Sequence, residues 1–258
     1  MQDADIKQAM RQRYDGFGKA VADAVEGMHG PGEVWRMAEG ARPALAYYRR
    51  RKLETALRLG GFRAGAALLD VGCATADYTL LFARRGFHMT GADLSPVSID
   101  TARRKAHLTG HDEMRFVVTD AETLAGVPDA TFDGVVSFSA LRYVPNLDRA
   151  LAAIHRVLKP AGVVVLDVPN RYCPWFKLLK NRVGVETHFH DHHYAAGEIR
   201  RRLGAAGFAD LRTRHLLYTS YLTPARLLPA FRLVDRIGER LPLFSRTAAI
   251  LMARGVKA

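Results

Sequence analysis

Cysteine is nearly absent from this sequence: Cys73 and Cys173 are its only two in 258 residues. Two cysteines cannot build a disulfide framework, and no Cys-x-x-Cys pair supplies the thiolates of a metal ribbon. A reducing compartment suits such a chain, so a cytoplasmic location is expected. Long apolar runs are also missing. No stretch approaches the ~18 residues that a membrane-spanning helix needs. Residues 1–13 are polar and charged and lack an apolar h-region, so a secretory signal is not expected. Low-complexity tracts and internal repeats are lacking too, which argues against a disordered tail or a fibre.

What is present suits a folded, enzyme-sized protein. The chain is 48% hydrophobic and 25% charged, and it is long enough for one large core or two small ones. Its net charge of +12 is unevenly spread. Residues 171–258 hold 16 Lys and Arg against 6 Asp and Glu, so ten of the twelve surplus charges fall there. That asymmetry fits nucleic acid, an anionic membrane surface or an acidic substrate, and equally a solubilising Arg-rich surface.

Hydrophobic periodicity divides the chain. Residues 1–64 read as a helical lid, with Leu45, Tyr48, Leu53, Leu57 and Leu59 near helical spacing and a break at Gly27 to Gly32. From Ala66 onward, short apolar runs alternate with helical stretches. Strands are expected at 66–71, 87–92, 115–119, 134–139, 163–168, 211–218 and 247–253. Helices are expected at 77–85, 96–108, 147–158 and 198–206. Ser95 and Pro96 form an N-cap and first-turn pair, and Pro160 and Gly162 close the helix before the fifth strand. The alternation predicts an α/β protein with a doubly wound, mostly parallel seven-stranded sheet. Residues 65–258 form its main domain, with a helical insert at about 219–245.

In an open sheet of this kind, ligands bind at the carboxyl ends of the strands near the switch point. Three successive strands end there in an acid: Asp70, Asp93 and Asp120. After Asp70 comes a turn of small residues, Gly72-Cys73-Ala74-Thr75-Ala76, which lets a ligand approach the backbone closely. Asp93 follows Asp70 by 23 residues, where an acid can accept hydrogen bonds from two ribose hydroxyls.

Leu68-Leu69-Asp70-Val71-Gly72-Cys73-Ala74-Thr75-Ala76-Asp77 resembles the first motif of the class I S-adenosyl-methionine-dependent methyltransferases. Gly91-Ala92-Asp93-Leu94-Ser95 resembles their second motif, and Asp120-Ala121-Glu122 the one that contacts adenine. Phe132 to Ser137 resembles the fourth strand, and Arg156 to Gly162 the phrase before the fifth. The match runs in order over about residues 60–217. The resemblance implies S-adenosyl-methionine as cofactor, S-adenosyl-homocysteine as product, and a Rossmann-like fold. It further implies that Asp70, Gly72 and Ala74 back the methionine part. Asp93 would hold the ribose, and Leu94, Asp120 and Ala121 the adenine. Ser137, Tyr143 and Tyr14 would line the remainder of that site. The family favours glycine where this chain has Ala74 and Ala76. A methyl group at each narrows the turn, and Ala74 fits if its φ is negative.

Methyl transfer demands alignment more than acid–base chemistry, because the sulfonium is already a strong electrophile. A hydroxyl or amine acceptor can still need a base. The candidates are His190, His192 and His193 in the run Thr187 to Tyr194, whose imidazoles titrate in the useful range. His188, His190 and His192 alternate, but no metal is expected, and the plainer reading of the run is a surface loop whose His and Tyr cap the next helix. His29, Phe17 and Trp35 are further candidates near the lid.

The insert holds Leu227, Phe231, Val234, Ile237 and Leu241 on one helical face and Arg232, Arg236 and Arg240 opposite. Such a helix packs on the sheet or lid, or rests on a membrane surface through residues 222–244. The leading expectation is methylation of an O, N or C atom of a small molecule, lipophilic natural products included. An RNA or DNA methyltransferase is the alternative the basic surplus allows. Against it, the fourth strand ends Ser137 to Tyr143 and lacks the Asp/Asn-Pro-Pro-Tyr motif of many base amino-methyltransferases, so nucleic acid is not expected as a partner. A non-catalytic protein that keeps the fold is the third reading. Oligomeric state is open.

Overall fold

The computed structural model describes residues 3–174 and 191–258. Three helices come first: α1 (Asp3–Glu26), α2 (Pro31–Glu39) and α3 (Pro43–Gly60). Pro31 and Pro43 sit in the first turns of α2 and α3, where a missing N–H costs nothing. The alternating part follows as β1 (Ala67–Val71), α4 (Asp77–Ala83), β2 (His88–Asp93), α5 (Pro96–Leu108), β3 (Arg115–Val118) and β4 (Phe132–Phe138). A 3-10 turn (Leu141–Tyr143) leads to α6 (Leu147–Val157) and β5 (Leu158–Pro169). Beyond the undescribed segment come α7 (Ala196–Ala205), β6 (Phe208–Leu216), α8 (Leu228–Gly238), the short α9 (Pro242–Ser245) and β7 (Ile250–Lys257).

The strands form one seven-stranded sheet in the order β3-β2-β1-β4-β5-β7-β6. The first five strands pair in parallel, and β7 runs antiparallel between β5 and β6. This is the doubly wound sheet that the alternation predicts. Side chains of a strand point to opposite faces in turn, and the core divides accordingly. Leu68, Val136, Val165 and Met252 face one layer with Leu53 and Ala56 of α3, Leu80 and Phe82 of α4, and Ile99 of α5. Leu69, Val135, Val164 and Leu251 face the other, with Leu151 and Ile154 of α6 and Leu203 of α7. All are almost fully buried, and each except Ala56 contributes roughly 1.5–3 kcal/mol.

Several boundaries differ from the periodic reading. β5 begins at Leu158 rather than Val163, because Phe132 pairs with Leu158 before the register shifts to Gly134 with Val163. Pro160 and Gly162 therefore lie in an irregular strand start rather than a helix stop. β6 begins three residues early, at Phe208, and β7 lies later, at 250–257. Ser95 does cap α5, accepting the Ser98 N–H at 3.0 Å.

Chain order reverses about β1, which lies between β2 and β4, and this opens a crevice at the carboxyl ends. α1 closes it from above by lying across α5. Gly18 allows that approach: a Cβ there would stand 2.9 Å from Ser98 N. Ser98 Oγ donates to Tyr14 O at 3.2 Å, and Ser95 Oγ donates to Asp15 at 2.5 Å.

Lys105 of α5 ties the turn after β1 to the helices. It is fully buried, and its Nζ donates to Thr75 O at 2.7 Å and to Asp77 Oδ1 at 2.5 Å. Arg49 of α3 reaches the other Asp77 oxygen and also the Met37 and Ala38 carbonyls. Lys105→Met leaves a buried carbonyl and half a carboxylate unsatisfied. It is expected to cost about 2–3 kcal/mol in urea unfolding. Amide exchange should accelerate first at 73–78; a loss spread evenly over the sheet would contradict this local role.

Candidate functional site

The crevice is a cleft of about 900 Å³ measured to its open mouth. Its floor is the turn after β1, a backbone in an uncommon conformation. Gly72, Ala74 and Ala76 have φ of 76°, 46° and 66°. Ala74 thus does not meet the condition of a negative φ. Alanine in the left-handed region is strained by roughly 1–2 kcal/mol per residue, so neighbouring groups must hold the turn. Asp93 Oδ2 accepts the Ala74 N–H at 2.8 Å, while Oδ1 accepts the Ser95 N–H at 2.9 Å. Gly72 could carry no side chain, since a Cβ would stand 2.1 Å from that of Ala140.

The walls come from four strand ends and one helix. Tyr14, Gly72, Ala74, Asp93, Leu94, Asp120, Ala121 and Tyr143 all line the cleft. Val71, Leu124 and Val144 add apolar surface. The Tyr14 and Tyr143 rings lie 6.2 Å apart. Lys7 of α1, which sequence reasoning did not single out, stands 2.7 Å from both Asp120 and Glu122. Burial opposes its charge, but those two carboxylates outweigh it and raise the Lys7 pKa. α1 is thereby pinned to the end of β3. Its signal was faint: one lysine among many on a polar helix.

Asp70 and Ser137 lie beneath the cleft rather than on its wall. Ser137 Oγ donates to Val71 O at 2.8 Å, and Asp70 accepts from Thr79 Oγ1 at 2.7 Å. Burial pushes the Asp70 pKa up to about 7, helped by Asp93 and Asp167, although the Thr79 hydrogen bond opposes it. Burial also raises Asp93, against the N–H groups of Ser95, Ala74 and Leu94.

A second group went unnoticed in the sequence. Asp167, near the end of β5, accepts Ser139 N–H at 2.6 Å and Ser139 Oγ–H at 3.2 Å. Lys52 of α3 donates to Ser139 Oγ at 2.9 Å and stands 2.5 Å from Asp167 Oδ2, in ion-pair contact without hydrogen-bond alignment. Its Nζ lies 5.2–5.5 Å from the Tyr48, Tyr78 and Phe138 ring centres. Burial lowers the Lys52 pKa, and the Asp167 charge resists the change. Ser139 has φ of 58° and lines the cleft, so it joins this buried pair to the open space. The signal available was an acid inside an otherwise apolar strand.

His192 and His193 do not line the cleft. They border a neighbouring polar depression with Arg171, Glu198 and Arg202. Arg142 forks onto Asp191, with Nε at 2.5 Å, and stacks over Tyr143 on the cleft wall. Burial works against ionisation of Asp191, but His193 and Arg142 outweigh it and hold its pKa at about 2. His188 and His190 lie outside the described residues. His29 is exposed, and its backbone N–H donates to Glu33 in the first turn of α2 at 2.9 Å. Trp35 packs against His111 and Arg84, away from the cleft, and Phe17 stands edge-on to Tyr14. Among the described residues, no three His, Cys, Asp or Glu side chains group as a metal site.

Known proteins resemble this chain at that cleft. The family model described as "Methyltransferase domain" matches residues 69–166. A demethylmenaquinone methyltransferase of Thermus thermophilus is 37% identical over 125 residues, covering 47% of this chain and 54% of that protein. An S-adenosyl-L-methionine-dependent Diels-Alderase of Talaromyces variabilis is 29% identical over 167 residues, covering 59% of this chain and 56% of that protein. The chain spans about half the length of these curated relatives. Geranyl diphosphate C-methyltransferase of Streptomyces coelicolor shares the fold with a TM-score of 0.62 at 16% identity, over 83% of this chain and 81% of that one.

Two measurements test the buried charges. With its folded pKa raised, Asp70 keeps a proton that the unfolded chain releases, so its contribution is present below about pH 4 and lost as pH rises through about 7. Asp70→Asn should therefore melt with the wild type near pH 4 and increasingly above it towards pH 8; a gap that shrinks with pH would contradict the assignment. Lys52→Met, which strands Asp167, is expected to cost about 3–5 kcal/mol. Adding Asp167→Asn removes the stranded charge and keeps an acceptor for Ser139, so the double variant should recover much of that loss. No recovery would mean that Lys52 acts through packing alone.

Proposed function

The chain belongs to the class I S-adenosyl-methionine-dependent methyltransferases, and from that premise we propose that it transfers a methyl group to an O, N or C atom of a small-molecule acceptor. The observation that carries this reading is the convergence of Asp93, Asp120 and the Gly72–Ala74 turn on one cleft.

The cleft's chemistry suits the cofactor. Each Asp93 oxygen already accepts one N–H, and each has lone-pair capacity left for a ribose hydroxyl. Leu94, Ala121 and Leu124 offer an apolar slot for adenine, with Asp120 at its edge. Gly72 leaves backbone open where a side chain would fill the floor. Tyr14 and Tyr143 present aromatic faces suited to a sulfonium cation. When bound, S-adenosyl-methionine supplies an electrophilic methyl carbon and leaves as S-adenosyl-homocysteine. The chain's own part is to bind, to align and to exclude water. In this reading, the helices before residue 65 act as the lid and residues 65–258 as the cofactor domain.

The acceptor end lies past Tyr143 and Ser139. An acceptor hydroxyl or amine there would meet Ser139 Oγ, already polarised by Lys52 and Asp167. His192 and His193 border the neighbouring depression rather than this cleft, so the reading rests on Ser139 and not on the histidine run. Apolar walls and relatives named for demethylmenaquinone favour a lipophilic acceptor.

Calorimetric titration with S-adenosyl-homocysteine tests the cofactor site. The wild type should bind, and Asp93→Ala should bind at least tenfold more weakly, the effect of about 1.4 kcal/mol or more from lost charged hydrogen bonds. Formation of S-adenosyl-homocysteine with an acceptor panel then tests transfer. One relative is a cofactor-dependent Diels-Alderase, so cofactor binding without turnover would redirect the reading to a non-methylating use of the cleft.

A further inference from the structure

Helix α8 sits on the protein the wrong way round for an ordinary amphipathic helix. Its acids point inward. Asp235 is fully buried and accepts Tyr218 N–H, Thr219 N–H and the Thr219 hydroxyl. Glu239, just past the helix, accepts Leu217 N–H at 2.9 Å and pairs with Arg51 of α3 at 2.5 Å. Of the helix's apolar residues, Leu228 is buried, but most of the rest face solvent. Leu233 is 56% exposed and Ile237 51%, with Val234 beside them. Leu241, Leu243 and Phe244 continue the patch through α9, Leu243 being 78% exposed. The apolar face read from the sequence thus packs on neither sheet nor lid.

The charges around this patch have one sign. Between residues 221 and 246 the only acids are Asp235 and Glu239, both consumed inward, while five arginines occur at 226, 232, 236, 240 and 246. Arg232 stacks on Tyr47, 4.8 Å from its centre. Among the described residues, none of the five is ion-paired. At 100° per residue, Arg236 stands beside Leu233 on the outer face of the helix, and Arg240 and Leu241 follow in the turn after it. An exposed apolar stripe bordered by unpaired arginines is the arrangement that enters a lipid headgroup layer and holds anionic lipid.

We infer that α8 and α9 form a docking surface for an anionic membrane. On its inner side the helix rests against α3, where Arg232 stacks on Tyr47. Before the helix, Tyr221 meets the half-buried Tyr48 of α3 edge-on. The membrane contact itself does not depend on methyl transfer.

Sedimentation of the full chain with vesicles tests it. Vesicles of phosphatidylcholine with about 30% phosphatidylglycerol should carry the protein down, and pure phosphatidylcholine vesicles should carry far less. Binding should weaken on raising salt. Leu233→Glu with Ile237→Glu, and separately Arg236→Glu with Arg240→Glu, should each reduce the bound fraction by on the order of tenfold. All four positions are exposed, so melting temperature and S-adenosyl-homocysteine binding serve as folding controls. Equal binding to both vesicle types would overturn the role of the arginines. No vesicle binding, with a dimer in light scattering that Leu233→Glu abolishes, would assign the patch to a second copy and overturn the inference.

Discussion

The structure depends on one short piece of backbone, the turn from Gly72 to Ala76. Three of its five residues are left-handed, two of them alanines. Left alone, such a turn would relax. It is held because each neighbouring layer contributes one grip. Asp93 from β2 takes the Ala74 N–H, Lys105 from α5 takes the Thr75 carbonyl, and Asp77 is clamped between Lys105 and Arg49. Several charge-assisted hydrogen bonds at roughly 1.5–3 kcal/mol each outweigh the strain of two alanines. The same grips connect α3 and α5 to the floor of the cleft, so these helices and the turn are mechanically one unit.

Buried carboxylates recur around that unit, and their partners differentiate them. Asp70 has one hydroxyl partner and retains its proton towards neutrality. Asp93 has two backbone N–H donors and faces the cleft. Asp167 has a buried ammonium, a backbone N–H and a serine hydroxyl. Three acids within a few residues of strand ends therefore do different things: one ties β1 to α4, one holds the turn, and one organises Ser139. Identity of residue does not separate them; the surrounding donors do.

That difference marks what the sequence could disclose. The alternation of apolar runs exposed the sheet, because parallel strands buried on both faces read as continuous Val, Leu and Ile. The acids at the ends of β1, β2 and β3 exposed the crevice, because charge at a strand end is conspicuous. Lys7, Lys52, Lys105 and Ser139 were illegible. Each meets its partner across 28 to 115 residues, and a lysine on a helix among other cations gives no sign of facing inward. Strand starts were misplaced where pairing with a neighbour, not propensity, decides: β5 reaches back to Leu158 because Phe132 pairs with it.

Orientation of α8 follows from the same distinction. Its periodicity defines two faces but not which one turns inward. The deciding demand comes from the chain leaving β6, where Leu217, Tyr218 and Thr219 offer buried N–H groups with no strand partner, and Leu217 is itself left-handed. Leaving each unsatisfied would cost about 1–3 kcal/mol. Rotating α8 to bury Leu233 and Ile237 would gain at most roughly 1.5–3 kcal/mol per side chain, and would withdraw Asp235 and Glu239 from all three donors. It would also expel Glu239 from Arg51. Polar satisfaction wins, the apolar stripe is left outside, and the surface that results is fixed by hydrogen bonds on the opposite side of the helix.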